Sequence, residues 1–381
     1  MLKPKIAILI YSLSGGGAER VVSYLLPYLK NKRMEVHLVL MNVNVSYDIP
    51  ADIPIHFIEK SKGDEHGFFK LIKLPWLAYK YAKLLNQLKI THSFALLTRP
   101  SYINILSKHF TNYKYKISIS ERSYPSMQYG YNNLQSKINN LLIKKLYPKA
   151  DQIICNSHGN ANDLINNYNI AASKIEVVHN PVDIEKIDTV EKKDGFFSEA
   201  FFNIVTIGRM DAGKNHQLLI KAIVPFKKMR LYILGDGWLR ESLEQLVDEL
   251  GLTEQVFFLG FDNNPFKYLK AADLFLFGSS HEGFPNVLLE AMACGLPIVS
   301  TNCKSGPDEI MELSNPKTDN IMLTDYGILS PVGSVELLQK ALAYCLEHPE
   351  FLDQCRKRVL ERILDFKREP ILEAYTHHIL A

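Results

Sequence analysis

Short apolar runs alternate with amphipathic stretches along most of the chain, and this alternation predicts an α/β fold. Each run has the length of a buried strand and ends at glycine or polar residues. The runs begin at Ile6, Glu35, Ser93, Lys116, Asp151, Ile175, Phe202, Leu231, Val256, Ala272 and Pro297. Because helices connect the strands in such a pattern, we expect open parallel sheets whose strand-end loops share one edge.

Length and a change of pattern divide the chain into two domains. A chain of 381 residues ordinarily forms two domains. Residues 184–200 are charged and lack strong periodicity, so we assign them to a linker. It separates an N-terminal domain of residues 1–183 from a C-terminal domain of residues 201–362.

The composition is that of a globular protein, with 47% hydrophobic and 22% charged residues. No apolar run reaches the ~18 residues that a membrane span needs. The run from Ile6 to Tyr11 is too short for the core of a signal peptide and leads into glycines, so we interpret it as a strand. The five cysteines are dispersed and form no Cys-x-x-Cys pair, which indicates a reducing cytosol and argues against a structural metal.

The net charge of +3 conceals a strong asymmetry between the two halves. Residues 1–180 carry 23 Lys and Arg against 11 Asp and Glu, a net charge of +12. The remaining residues carry 21 against 30, a net charge of −9. The basic half indicates a polyanionic partner: an anionic membrane, a nucleic acid or a phosphorylated acceptor. A solvated basic surface is equally compatible with the bias.

Residues 68–85 are apolar, aromatic and basic, and they contain no acidic residue. Such a segment can lie in a membrane interface, with aromatic rings among the headgroups and lysines against anionic lipid. The expected contacts are Phe68, Phe69, Lys70, Lys73, Trp76, Lys80 and Lys83. An ordinary amphipathic helix with snorkelling lysines is the alternative. Pro75 is expected to kink or restart the helix, and residues 137–147 form a second basic and apolar helix.

Glycines 15–17 separate the first predicted strand from a helix and allow backbone N–H groups to approach a phosphate. The pattern is neither Gly-x-Gly-x-x-Gly nor a P-loop, which disfavours a dinucleotide or ATP site. A turn without a ligand is the alternative. Five polar residues at this and neighbouring strand ends are candidates for an acceptor site in the same cleft: Glu19, Arg20, Arg99, Glu121 and Arg122. Glu121 and Arg122 are also compatible with a structural ion pair.

Two loops of the C-terminal half combine charge with a helix start. Arg209 follows one strand and Lys214 precedes the next helix, a pair that can clamp a diphosphate or simply lie on the surface. The other loop carries Glu282, and Glu290 lies in the helix that follows it. Paired carboxylates first suggest the acid and base of glycoside hydrolysis. Beside two cations and a helix N-terminus, they are better interpreted as groups that hold a phosphorylated ligand.

Taken together, these motifs resemble those of the GT-B glycosyltransferases of family 4, which are retaining enzymes that use nucleotide-sugars. The motifs are Gly16-Gly17-Ala18-Glu19-Arg20, Asn180-Pro181-Val182-Asp183, Gly208-Arg209 with Lys214-Asn215, Gly235-Asp236-Gly237, Gly260-Phe261, Glu282-x7-Glu290 and Ser305-Gly306-Pro307-Asp308-Glu309. The resemblance implies two Rossmann-like domains facing each other across a cleft, the first for acceptor and membrane and the second for the donor. It also implies that residues 363–381 form a C-terminal helix that packs back on the N-terminal domain.

The resemblance further implies roles for individual residues. Arg209 and Lys214 would bind the donor diphosphate and stabilise the leaving group, Glu282 would contact the transferred sugar, and Glu290 would contact the ribose. Arg209, Lys214 and Glu282 are thus the expected catalytic residues. The other expected donor-binding residues are Gly16, Gly17, Gly235, Gly260, Phe261, Phe284, Pro285, Asn286, Val287 and Leu288. The chain has no Asp-x-Asp motif, so we expect no metal and no cofactor other than the UDP-sugar substrate.

Arg122 departs from the family pattern, because many members carry a histidine at this position. An arginine cannot replace a neutral histidine in proton transfer, so we assign no catalytic histidine and no conventional general base. In a front-side transfer, a phosphate oxygen of the donor could take the acceptor proton. Arg122 is then a candidate for binding an acceptor phosphate or a group of the donor.

Within the family, residues 11–20, 259–265 and 282–288 most resemble the PglJ-type N-acetylgalactosamine transferases of bacterial protein N-glycosylation. This implies α-transfer of N-acetylgalactosamine from UDP-GalNAc to an undecaprenyl-diphosphate-linked glycan. The implied enzyme is peripheral on the cytoplasmic face of the bacterial inner membrane, binds that anionic surface and a polyprenyl-diphosphate-linked saccharide, and binds no nucleic acid.

Three other functions remain open. One is a family 4 transferase that uses UDP-GlcNAc or UDP-glucose in lipopolysaccharide or capsule synthesis. Another is a GT-B-fold UDP-HexNAc 2-epimerase, which needs no acceptor. The third is a basic module that binds nucleic acid or membrane without catalysis. The motifs of the acidic C-terminal half argue against this third function.

Overall fold

Two seven-stranded sheets organise the chain, one in each of two units. The computed structural model describes residues 3–61, 67–193, 195–314 and 319–381. The first unit comprises residues 1–181 together with residues 368–381, and the second comprises residues 182–367.

The first sheet is parallel throughout, and its order is β3-β2-β1-β4-β5-β6-β7. Its strands are β1 (Lys5–Ile10), β2 (Glu35–Asn42), β3 (Ile55–Ser61), β4 (His92–Leu96), β5 (Lys116–Glu121), β6 (Gln152–Cys155) and β7 (Ile175–Val177). The strand order reverses between β1 and β4. In open α/β sheets, ligands bind at the carboxyl ends of the strands beside such a reversal.

Amphipathic helices cover this sheet because each buries one apolar stripe against it. They are α1 (Gly17–Asn31), α2 (Gly67–Ile72), α3 (Leu74–Leu88), α4 (Thr98–Ser107), α5 (Pro125–Gln128), α6 (Leu134–Leu146) and α7 (His158–Tyr168). Side chains of α3, α4, α6 and α7 share one core cluster with the strands. The C-terminal helix, Arg368–Leu380, packs against α1 and the strands β4, β5 and β6.

The second sheet has the order β10-β9-β8-β11-β12-β14-β13, and its order reverses between β8 and β11. Its strands are β8 (Phe202–Ile207), β9 (Met229–Leu234), β10 (Val256–Gly260), β11 (Leu274–Phe277), β12 (Ile298–Thr301), β13 (Met322–Thr324) and β14 (Gly327–Ser330). Its edge strand β13 runs antiparallel to β14. Gly327 begins β14 with φ +142°, and a Cβ there would lie 1.9 Å from the carbonyl oxygen of Ile298. Glycine is therefore required where β14 begins beside β12.

The helices of the second unit complete the alternation that the sequence predicts. They are α8 (Ile184–Asp188), α9 (His216–Ile223), α10 (Arg240–Glu249), α11 (Phe266–Leu269), α12 (Asn286–Ala293), α13 (Pro307–Ile310), α14 (Val335–Glu347) and α15 (Pro349–Arg362), and the C-terminal helix is α16. Single 3-10 turns cover Lys108–Phe110, Tyr147–Lys149, Ala172–Lys174 and Ile363–Phe366. Side chains of α9, α10, α14 and α15 share one core cluster with the second sheet.

The passages between the units lie elsewhere than the sequence predicts. The chain passes between them after Pro181 and again after Lys367, so residues 184–200 and 363–367 belong to the second unit. The N–H of Val182 donates to the carbonyl of Phe366 at 2.9 Å, and Val182 forms a bridge with Lys367. Backbone pairing therefore ties residues 182 and 366–367 into one unit, a feature that composition does not reveal.

Arg122 holds the C-terminal helix on the first sheet. Its guanidinium donates to the hydroxyl of Tyr375 on α16 at 2.5 Å and to Oδ1 of Asn180. The Tyr375 hydroxyl in turn donates to the carbonyl of Val178 at 3.1 Å. All three side chains are buried. A buried charge held by neutral acceptors is costly to disturb, because its loss leaves each acceptor without a donor.

We expect Arg122→Ala to loosen α16. Two buried acceptors lose their donor, which costs about 2–4 kcal/mol of local stability. Amide hydrogen exchange of residues 368–380 should accelerate by roughly 30- to 1,000-fold. Tyr375→Phe, which keeps the ring and removes one hydroxyl, should accelerate it less. Unchanged exchange in Arg122→Ala would show that the helix is held by apolar packing alone.

Candidate functional site

Four neighbouring strands of the second sheet end in loops that carry the predicted donor-site residues. These strands lie in the order β10-β9-β8-β11. Gly260 ends β10 with Phe261 after it, Gly235 follows β9, Arg209 follows β8, and Glu282 follows β11. Because parallel strands end at the same edge, one edge of this sheet collects residues that are far apart in sequence.

Lys214 and Glu282 form an ion pair at the reversal between β8 and β11. The Lys214 ammonium lies 2.5 Å from Oε1 of Glu282, and the Ser279 hydroxyl donates to the same oxygen at 2.7 Å. The two charged side chains are 26% and 15% exposed, so water screens the pair only in part. The structure thus brings together two of the three residues that the sequence analysis assigns to catalysis.

Arg209 extends into solvent beside this pair. Its side chain is 76% exposed, and its Nε lies 2.6 Å from Oδ2 of Asp211. The other oxygen of Asp211 accepts the N–H groups of Gly213 and Lys214 at 3.0 and 3.1 Å. Burial acts to raise the pKa of Asp211, but the hydrogen bonds from Arg209 and Lys214 outweigh it and hold the pKa below its usual value.

Asp211 thus shapes the loop that carries both cations, although the sequence analysis does not single it out. An aspartate followed by glycine two residues later is a signal for a side-chain-closed turn, and it was available in the sequence.

His216 begins α9 next to this loop and remains neutral. It is 2% exposed. Burial, and then the charge of Lys214, lower its pKa to about 4. The two cations of the loop are therefore not joined by a third at neutral pH.

Glycines hold the ends of β8, β9 and β10 close together. Gly235 has φ +131°, and a Cβ there would lie 2.1 Å from the carbonyl oxygen of Gly208. The N–H of Gly235 donates to the carbonyl of Gly260 at 2.8 Å. Gly235 and Gly260, both predicted as donor-binding residues, therefore have a structural role in fixing the edge of the sheet.

The start of α12 presents backbone rather than side chains. Phe284 is buried against Phe366, with ring centroids 5.7 Å apart, and Leu288 is also buried. Pro285 is the N-cap, followed by Asn286 and Val287, and the N–H of Leu288 donates to the carbonyl of Pro285 at 3.1 Å. The predicted roles of Phe284 and Leu288 can therefore come only from their main chains.

A neighbouring turn supports the loop before α12. The hydroxyl of Ser305 donates to the carbonyl of Gly283 at 2.6 Å. Gly306, at φ +105°, packs so closely that a Cβ would lie 2.4 Å from Cδ of Pro285. Glu290, the expected ribose ligand, is buried within α12, one helical turn after Asn286.

Two exposed aromatic side chains stand at adjacent strand ends. Phe261 after β10 is 77% exposed, and Trp238 in the loop after β9 is 75% exposed. Phe261 is one of the donor-binding residues predicted from the sequence, whereas Trp238 is not among them. A lone tryptophan directly after the Gly235-Asp236-Gly237 motif was the available signal.

The glycine loop of the first unit already holds a carboxylate. Glu19, which is 7% exposed, accepts the N–H groups of Gly15 and Gly16 at 2.8 and 2.5 Å. Gly17 begins α1, and Arg20, which is half-buried, lies in its first turn. The glycine run predicts a phosphate at these N–H groups, whereas in the structure they bind the carboxylate of Glu19.

The other acceptor candidates of the first unit are bound to protein groups. Arg99 makes two hydrogen bonds to Glu59, at 2.8 and 3.3 Å, and its Nε donates to the carbonyl of Lys70 at 3.3 Å. Glu121 accepts the hydroxyl of Tyr147 at 2.6 Å, and its burial raises its pKa. The backbone N–H of Arg122 donates to Glu121, whereas its guanidinium binds α16 as described above.

The segment predicted to bind a membrane forms α2 and α3, and Pro75 lies in the first turn of α3. The faces that α2 and α3 leave exposed carry large apolar side chains: Phe69, Ile72, Trp76 and Tyr79, each between 51% and 61% exposed. Phe68 belongs to α2, but its side chain lies outside the described residues.

Two lysines of the α2 and α3 segment, Lys73 and Lys80, contact protein groups. Lys73 lies 3.4 Å from Glu59, and Lys80 donates to the carbonyl of Ile58 at 2.7 Å. Lys83 is exposed, and Lys70 is half-buried. In the described part of the chain, no helix is long and apolar enough to cross a membrane.

Two family models match successive parts of this chain. The model described as Glycosyltransferase Family 4 matches residues 15–186, and the model described as Glycosyl transferases group 1 matches residues 188–362. These ranges contain all the strand-end loops described above.

Two curated relatives extend over most of the chain. A Campylobacter jejuni enzyme is 47% identical over 377 residues, which is 99% of each chain. It is named N-acetylgalactosamine-N,N'-diacetylbacillosaminyl-diphospho-undecaprenol 4-alpha-N-acetylgalactosaminyltransferase. An uncharacterized glycosyltransferase of Methanocaldococcus jannaschii is 31% identical and covers 86% of this chain and 88% of its own length.

Solved structures share the fold at low identity. Sucrose-phosphate synthase of Thermosynechococcus elongatus matches with a TM-score of 0.82 at 17% identity, over 98% of each chain. HepE of Anabaena, crystallised with UDP, matches with a TM-score of 0.76 at 18% identity, also over 98% of each chain. The predicted fold class, two Rossmann-like α/β units of GT-B type, is confirmed. This chain belongs to the family 4, group 1 glycosyltransferases.

Proposed function

We propose that this glycosyltransferase moves N-acetylgalactosamine from UDP-GalNAc to an undecaprenyl-diphosphate-linked glycan, with an α-linkage in the product. The observation that carries the proposal is the 47% identity to the Campylobacter jejuni enzyme over 99% of both chains. The charged loops at the carboxyl edge of the second sheet support it, because they combine two cations, a carboxylate and a helix start.

The second sheet supplies the groups that such a transfer needs. Arg209 and Lys214 neutralise the diphosphate as it takes up negative charge, which is the main requirement when no metal bridges it. The bond from the anomeric carbon to the phosphate oxygen breaks, and the acceptor hydroxyl oxygen bonds to that carbon. The hydroxyl proton passes to a phosphate oxygen of the departing UDP.

In this proposal, Glu282 both holds Lys214 in place and binds the transferred sugar. Among the described residues, both hydrogen-bond partners of the Glu282 side chain, Lys214 and Ser279, reach Oε1. They leave Oε2 to accept a hydroxyl of the transferred sugar. One carboxylate thereby fixes the lysine and orients the sugar, and Glu290 on α12 holds the ribose.

Removing either partner of the ion pair should impair transfer strongly. We expect Lys214→Met to lower kcat/KM by roughly 100- to 1,000-fold, since the leaving diphosphate loses a fixed cation. Glu282→Gln should lower it by roughly 10- to 100-fold, because Lys214 loses its anchor. The measurement is UDP release with UDP-GalNAc and a polyprenyl-diphosphate-linked acceptor.

Lys227→Ala is the matched control. This exposed lysine precedes β9 at the opposite edge of the same sheet, so its loss changes the net charge equally. Its kinetics should match the wild type. Lys214→Met with wild-type kinetics would remove the ion pair from the mechanism.

A 2-epimerase is the alternative with the same fold, and the acceptor separates the two activities. The proposed transferase releases UDP only when the lipid-linked saccharide is present. Interconversion of UDP-sugars without an acceptor would support the epimerase instead.

We also propose that α2 and α3 dock on an anionic membrane surface. Residues 67–150 contain 14 Lys and Arg but a single acidic residue, Glu121, which is 1% exposed. The stretch of chain that carries the exposed aromatic face of α3, residues 67–150, therefore has no exposed carboxylate side chain. Tyr79 meets Phe110 edge-on at 6.1 Å between ring centroids, which extends the apolar surface to the 3-10 turn at Lys108–Phe110.

A buried ion pair holds this surface in place. Arg99 joins Glu59 at the end of β3 to the carbonyl of Lys70 on α2, and Lys80 reaches Ile58 of the same strand. The Lys80 ammonium also lies 4.4 Å from the centroid of the Trp76 ring. These contacts fix α2 and α3 on the sheet, so the aromatic face is presented by a rigid platform.

The two tryptophans of the chain, Trp76 and Trp238, allow a direct test. In Trp238→Phe, the fluorescence comes from Trp76 and should shift to the blue with vesicles that contain anionic phospholipid. In Trp76→Phe it comes from Trp238 and should not shift. Trp76→Ser with Tyr79→Ser should weaken vesicle binding by about tenfold or more, which is about 1.4 kcal/mol.

Neutral vesicles and high salt should weaken binding of the wild type, because exposed charges are screened. A Trp76 signal that ignores anionic vesicles would contradict the docking proposal and leave the proposed transfer reaction untouched.

A further inference from the structure

The side chain of Glu19 binds the donors of the glycine loop of the first unit. The Gly16-Gly17-Ala18-Glu19-Arg20 motif alone does not predict this contact. Oε2 of Glu19 accepts the N–H groups of Gly15 and Gly16, at 2.8 and 2.5 Å, and its Oε1 accepts the hydroxyl of Ser12. A second hydroxyl, that of Ser14, lies 3.0 Å from the Ser12 hydroxyl. Three donors therefore converge on one buried carboxylate.

The carboxylate and the loop fit each other closely. Gly16 is the N-cap of α1 and Glu19 is its third residue, so a short span of chain closes on itself. Gly15 adopts φ +123°, and a Cβ on Gly16 would lie 3.2 Å from Oε2 of Glu19. Successive N–H groups in this arrangement form a concave nest for an anion, and here the anion is part of the chain.

We propose that Glu19 is a positioning residue for the transfer reaction. It acts as the internal anion of the glycine loop and holds the N–H groups of Gly15 and Gly16, which are then not donated to a substrate phosphate. Held in this shape, the loop presents its remaining polar groups to a substrate. That substrate is either the UDP-sugar or the lipid diphosphate. The inference rests on the proposed function, in that the reaction uses a UDP-sugar and a lipid diphosphate.

Side-chain length distinguishes the variants more sharply than charge does. In Glu19→Gln, the amide oxygen can accept both glycine N–H groups and the amide nitrogen can donate to Ser12. Glu19→Asp is shorter by one methylene and cannot reach all three donors. Glu19→Ala leaves the donors without an acceptor. We expect the KM of one phosphorylated substrate to rise tenfold or more in the Ala and Asp variants, and less than about fivefold in Gln.

Formate provides a test that a general loss of structure would not pass. A small carboxylate can enter the space that Glu19→Ala vacates and accept the same three donors. Added formate should therefore lower the raised KM of Glu19→Ala toward the wild-type value and raise its Tm, by mass action on the folded state. It should have neither effect on the wild type.

Glu35→Ala is the matched control. Glu35 is an exposed carboxylate at the start of β2, at the opposite edge of the same sheet, and it pairs with Lys5 at 2.9 Å. Its loss should not alter KM, and formate should not change its kinetics.

Two results would overturn the inference. One is a wild-type KM in Glu19→Ala for both substrates. The other is a formate-dependent rise in Tm without recovery of KM, which would make Glu19 a stabilising cap and nothing more. A wild-type enzyme that transfers no N-acetylgalactosamine would instead refute the proposed function, while the Tm response of Glu19→Ala to formate would still report whether Glu19 is the loop's internal anion.

Discussion

The ion pair between Lys214 and Glu282 is the interaction on which the organisation of the second unit depends. It joins the loop after β8 to the loop after β11, the two strands between which the order of the sheet reverses. The reversal leaves a crevice at the carboxyl edge, and that crevice is where an open α/β sheet binds its ligand. Asp211 and Ser279 brace the two sides of the pair. In the proposed reaction, the donor diphosphate would meet cations that are already oriented, which would reduce the reorganisation that catalysis otherwise requires.

In the first unit, the charged groups at the ends of the strands are paired with other protein groups. Glu19 accepts backbone N–H groups, and Arg99 forms an ion pair with Glu59. Arg122 donates to Tyr375 and Asn180. Because unpaired buried charges are strongly destabilising, these contacts shape the loops before any substrate arrives. The exposed face of α2 and α3 is largely aromatic and apolar, and it is the surface that we propose to dock on an anionic membrane.

The sequence was sufficient for the fold class, for most strands and for the position of the second-unit loops. Hydrophobic periodicity and strand-end glycines are both local signals. Gly235 shows why a strand-end glycine is informative, because only glycine fits against the carbonyl of Gly208. Three strands were not predicted. The edge strands β3 and β13 each have an exposed side and lack a continuous apolar run. The inner strand β14 is buried but only four residues long, too short for its apolar run to stand out. Which side chains pair with each other was harder to predict from the sequence than the strands were. The pairing of Arg99 with Glu59 spans 40 residues, and no local pattern indicates it.

Transfer to the lipid-linked saccharide is the central claim, and product analysis tests it most directly. The purified enzyme would be incubated with a polyprenyl-diphosphate-linked acceptor and a panel of UDP-sugars, and the lipid product examined by mass spectrometry and by NMR of the new anomeric centre. The account predicts that UDP-GalNAc adds N-acetylhexosamine to the acceptor with an α-configured linkage. An acceptor of unchanged mass with every UDP-sugar, or a β-configured product, would contradict it.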